Sequence, residues 1–80
     1  MTRIYTIGLE DRTAPRFAYL VIYVAHRDSR RASQAALAEA KQHSGKWRIA
    51  HLAERRTGTT IPQGEILGAS GPFTYDLEEA

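Results

Sequence analysis

The sequence predicts a small α+β domain: an antiparallel sheet in the order β-β-α-β, followed by one or two short C-terminal strands, with one helix packed on a face of the sheet. Three observations predict it. Phe17–His26 carries apolar side chains on both faces and is dominated by aromatic and β-branched residues, as in a central strand. Arg30–His43 contains no Gly, Pro, Val, Ile or Thr and follows Asp28-Ser29, two good helix caps. Two further alternating stretches, Arg3–Leu9 and Lys46–Arg55, flank these elements and read as strands.

In chain order, Tyr5, Ile7 and Leu9 fall on one face of the first strand and Ile4, Thr6 and Gly8 on the other. Glu10–Arg16 is polar, contains Pro15 and reads as a loop. In the second strand Phe17, Tyr19, Val21, Tyr23 and Ala25 share one face, and Ala18, Leu20, Ile22 and Val24 the other. One of these faces meets the helix. The other needs a cover, which the C-terminal segment or a second copy of the chain would supply; left bare, it would mark an interaction site. Ser33, Ala36, Leu37 and Ala40 form a small-residue helix face that allows close approach to a sheet. Lys41 and His43 sit in the expected last turn, and Gly45 suits the residue after it. In the third strand Trp47, Ile49, His51 and Ala53 alternate with Arg48, Ala50, Leu52 and Glu54. Glu65–Leu67 and Phe73–Leu77 are expected as two short strands separated by Gly68-Ala69-Ser70-Gly71-Pro72.

With 80 residues, one domain spanning 1–80 is expected, with 76–80 as a frayed acidic tail. A chain of this size buries roughly 60–65% of its unfolded surface and has little interior left for a catalytic pocket. There is no Cys, so neither a disulfide framework nor a Cys-based zinc site is available. The longest apolar run, Phe17–Ala25, is too short to span a bilayer as a helix, and no secretion signal is read at the N-terminus. The expectation is therefore a cytoplasmic protein without membrane contact.

No arrangement of residues assembles catalysis. His26, His43 and His51 have no metal-ligand spacing. Ser29, Ser33, Ser44 and Ser70 lie outside any nucleophile elbow, and Gly64–Gly71 lacks the Lys-Ser/Thr of a phosphate loop. The chain reads as a non-enzyme with no cofactor and no metal.

Charge is the more informative feature. Residues 1–56 carry all 11 basic groups and five acids, a balance of +6; residues 57–80 carry four acids and no base, a balance of −4. Nine of the 11 basic residues are Arg, the side chain suited to bidentate contact with carboxylate or phosphate, although a GC-rich coding sequence also yields abundant Arg and Ala. Arg27, Arg30, Arg31, Arg55 and Arg56 are the leading partner-binding candidates, and Asp76, Glu78 and Glu79 form a rival acidic set. The plain alternatives are a solvated charged face for the arginines and a frayed terminus for the acids. The arginines, interleaved with Tyr19, Tyr23 and Trp47, also suit direct nucleic-acid contact, though no nucleic-acid-binding motif is present. A homodimer is compatible with the two-faced strand.

Taken over most of its length, the chain resembles the small phage- or prophage-encoded anti-CRISPR proteins, and within them inhibitors of the type I-C system. The residues that carry the resemblance are the strand Phe17–His26, the helix Ser29–Gly45 and the segment Lys46-Trp47-Arg48-Ile49. The resemblance implies a non-enzymatic inhibitor in a bacterial host cell that binds subunits of the crRNA-guided surveillance complex, Cascade, and blocks target DNA binding. These proteins share no common motif, so no functional residue is carried over by position. Many of them present acidic surfaces; this chain departs from that with its net charge of +2. The alternative is a nucleic-acid-binding module or phage regulatory protein using the Arg clusters.

Overall fold

The computed structural model describes residues 3–12, 16–43, 45–56 and 64–76. They form β1 (Arg3–Asp11), β2 (Arg16–His26), α1 (Ser29–Ala40), β3 (Arg48–Arg56) and β4 (Glu65–Asp76). The strands make one antiparallel sheet in the order β3-β1-β2-β4, with the β1–β2 hairpin at its centre. The α+β class, the element order and the interior place of the Phe17–His26 strand are those the sequence predicts.

Alternation places two rows of large side chains on the helix-facing side. Tyr5, Ile7 and Leu9 of β1 stand opposite Val24, Ile22 and Leu20 of β2, and all six are fully buried. Each such side chain contributes about 1.5–3 kcal/mol on leaving water. Above them lie Ala32, Ala36 and Ala40, spaced by four residues and also fully buried, so methyl groups rather than long side chains set the close approach of α1 to the sheet. Leu37, Trp47, Ile49 and Ile66 pack around this cluster. The Tyr5 hydroxyl is buried within it and meets no hydrogen-bond partner among the described residues.

The helix begins where the residue chemistry directs. Asp28 is the N-cap, extended at φ −144° and ψ 162°, and its Oδ1 accepts from the Arg31 N–H at 2.8 Å. The helix ends one turn earlier than the composition of the segment predicts. Lys41 is the C-cap, and the N–H groups of Gln42 and His43 bond three residues back to Glu39 and Ala40. The chain is then held by two tertiary contacts. The Trp47 indole N–H donates to the His43 carbonyl at 3.2 Å, and the Lys46 N–H donates to Asp11 Oδ2 at 3.0 Å. Gly45 has φ +138°, and a Cβ there would collide with the Asp11 carboxylate.

Three expectations are corrected. Trp47, Ile49, His51 and Ala53 do not share a face of β3. The ladder steps from Gly8 opposite His51 to Leu9 opposite Ile49, so Ala50 is the extra residue of a bulge. Ile49 therefore packs on the core while His51 turns to the other face. Second, Glu65–Leu67 and Phe73–Leu77 are not separate strands: Glu65–Asp76 is one strand running through the Gly-rich stretch. It does so by absorbing one extra residue opposite Tyr19–Val21 and one opposite Tyr23–Val24. Gly71 makes the first of these irregularities sterically feasible; its φ is +104°, and a Cβ would lie 2.9 Å from the Tyr19 carbonyl oxygen. Pro72, after a cis peptide, is tolerated because β4 is an edge strand. Third, β4 lies beside β2 and does not cover its second face.

Candidate interaction surfaces

The register assigns each sequence-derived candidate to an end of the sheet. β1 begins, β2 ends and β3 ends at one edge of the ladder, where Arg3 stands opposite both His26 and Arg56. The chain leaves β2 there and enters α1. Arg27, Arg30 and Arg31 thus lie at the same end as Arg55 and Arg56, although more than twenty residues separate the two groups in sequence. Arg27, Arg30, Arg31 and Arg55 are exposed; Arg56 is placed by its backbone. Arg31 is partly committed, with Nε 3.6 Å from Asp28 Oδ2, and Arg3 pairs with Glu54 at 3.2 Å. Both pairs are exposed and contribute little to stability. Asp28, Ser29, Arg30, Arg31 and Gln34 line an open recess of about 500 Å³ beside this end.

Of the acidic candidates, Asp76 is not gathered with the arginines. Asp76 closes β4 opposite Arg16, at the far end of the sheet. Glu78 and Glu79 lie outside the described residues.

A second surface comes from the face of the sheet that α1 leaves uncovered. Phe17, Tyr19, Val21 and Tyr23 of β2 occupy it, as their alternation predicts, joined by Ile4 and Thr6 of β1, His51 and Arg55 of β3, and Phe73 of β4 opposite Tyr19. Tyr23 is 37% and Phe73 48% exposed. Tyr19 lies down across the neighbouring strand: its hydroxyl takes the space that a side chain at Gly8 would need. Its ring centroid is 6.3 Å from that of Phe17, and the Arg12 guanidinium sits 5.3 Å from the Phe17 centroid.

At the same end of this face is the one buried carboxylate among the described residues, Glu10, only 7% exposed. Its Oε1 accepts from Arg48 Nε at 2.9 Å and Nη2 at 2.6 Å, and lies 3.1 Å from Arg12 Nε. The hydrogen bonds from Arg48 hold the Glu10 carboxyl below its ordinary range; burial opposes this, and Arg12 adds to the lowering. Sequence reading missed this cluster because its members are 38 residues apart, and only the β1–β3 register joins Glu10 to Arg48.

His26 serves a local structural role, its Nδ1 accepting the Arg27 N–H at 3.0 Å. Among the described residues, no group of three or more His, Cys, Asp or Glu could hold a metal ion, and no helix is long and apolar enough to cross a membrane. Comparison with known proteins finds no matching family model, no matching curated protein and no matching solved structure.

Proposed function

We propose that the protein is a non-enzymatic inhibitor that binds a type I-C crRNA-guided surveillance complex in the bacterial cytoplasm and blocks target DNA binding. The exposed cluster of Arg27, Arg30 and Arg31 at the start of α1 supports a charged binding surface, and the resemblance described above supplies the partner. The contact is to an acidic patch on a Cascade subunit, since arginine offers forked donors that match carboxylates. Inhibition follows from bulk placed in the path of the DNA, without chemistry.

The test is co-elution of the purified protein with a purified type I-C complex, followed by target-DNA binding by that complex. The expected result is co-elution with loss of DNA binding. Arg27→Glu, Arg30→Glu and Arg31→Glu together should weaken association by about 30-fold or more while leaving the melting temperature unchanged. Absence of co-elution would overturn the proposal. The same arginines favour a second reading, a small nucleic-acid-binding module. Salt-dependent binding to free duplex DNA, lost in the same triple variant and without co-elution, would select it.

A further inference from the structure

We infer that the face of the sheet opposite α1, which no described element covers, is a binding platform for single-stranded nucleic acid, a site separate from Arg27, Arg30 and Arg31 at the start of α1. The face presents four aromatic residues, Phe17, Tyr19, Tyr23 and Phe73, on two adjacent strands. Their placement is fixed by the backbone. Side chains two apart on a strand recur at about 6.6 Å, and the Phe17 and Tyr19 ring centroids lie 6.3 Å apart. Tyr19 reaches across to Gly8, the position on β1 where the missing side chain leaves room for its hydroxyl. This row, with Tyr23 and Phe73 its exposed members, suits unpaired bases, each of which has a π-face to stack. A duplex keeps its bases stacked on one another and cannot use the row.

The charge on the face identifies the occupant as an anion with planar apolar groups. Arg12, Arg48 and Arg55 stand on it or at its rim, against Glu10 and, by register at the β4 corner, Glu65. Glu10 binds Arg12 and Arg48 through one oxygen, Oε1, which leaves donors of both guanidiniums for a phosphate. At the other end of the face Arg55 enters no ion pair among the described residues. A purely apolar partner surface would leave Arg55 and the spare donors of Arg12 and Arg48 without a counterpart, as would a second copy bringing the same arginines.

The test is fluorescence anisotropy with labelled oligo(dT) and oligo(U) of about 12 nucleotides, and a duplex of equal length, at two salt concentrations. The expected result is tighter binding of the single strands than of the duplex, weakening as salt rises. Tyr23→Ala and Phe73→Ala should each lower single-strand affinity by about 5- to 150-fold. Both positions are exposed, and Phe73→Ala on the edge strand provides the second variant should Tyr23→Ala disturb the sheet. Arg27→Glu and Arg30→Glu should leave single-strand selectivity in place, which separates this site from the start of α1. The inference is overturned if single strands bind no better than duplex. It is likewise overturned if both aromatic variants bind within twofold of the parent, or if the protein sediments as a dimer that Tyr23→Ala dissociates. It stands or falls independently of co-elution with the surveillance complex.

Discussion

Replacing Ile22 and then its neighbour Tyr23 by alanine tests whether only one face of the sheet is sealed. Ile22 is fully buried between Ile7 and Ala69 and lies under the helix. Ile22→Ala removes three carbon groups, about 2.4 kcal/mol of transfer free energy at ~0.8 kcal/mol each. Incomplete collapse of the cavity adds to this, for a total of about 3–4 kcal/mol. A domain of this length has about 4–12 kcal/mol in all, so the variant should be strongly destabilised. Tyr23 is already 37% exposed, and Tyr23→Ala should cost about 1 kcal/mol, mostly the poorer fit of alanine to a strand. The assay is guanidinium unfolding followed by far-UV circular dichroism. With a slope of about 2 kcal/mol per M, Ile22→Ala should lower the midpoint by about 1.5–2 M and Tyr23→Ala by about 0.5 M. Equal losses at unchanged slope would refute the reasoning, because they would mean that the second face is also covered in the folded protein.

Three other outcomes are expected. Gly71→Ala forces a side chain into φ +104° and within 2.9 Å of a backbone oxygen; it should cost about 2 kcal/mol, lowering the thermal midpoint by about 8–16 °C. Because the Glu10 carboxyl titrates below its ordinary range in the folded state, the stability it supplies is complete above that range and is lost as pH falls through the lowered value. Thermal midpoints of the parent should therefore drop more steeply between pH 5 and pH 2 than those of Glu10→Gln, and parallel curves would contradict the assignment. Tyr5→Phe deletes a buried hydroxyl that has no partner among the described residues and should raise stability by about 1 kcal/mol, read as a higher unfolding midpoint.

The central hairpin and the helix were legible because their signals are local. Phe17–His26 is apolar on both faces by simple alternation, and Asp28 caps the first helical turn from three residues away. What escaped sequence reading depends on partners distant in the chain. The phase of β3 is set by a bulge against Gly8 and Leu9, so Ile49 and His51 part company although they sit two apart. The continuity of β4 through Gly68–Pro72 depends on β2 accepting two irregularities, where the same residues alone signal a turn. The candidate arginines were visible as two clusters, but their meeting at one end follows from the antiparallel register. The open face was half visible, as the odd-numbered side of β2; Phe73 and the Glu10–Arg48 pair came only with the neighbouring strands.

The strand order has a consequence for how the molecule opens. β3 and β4 lie on opposite edges, each hydrogen-bonded to a different member of the central hairpin and not to one another. Either outer strand can therefore detach without breaking a ladder bond of the other, whereas β1 and β2 separate only when the whole sheet is lost. Amide exchange should accordingly show graded protection, slowest in the middle of β1 and β2, with two faster and mutually uncoupled layers outside them.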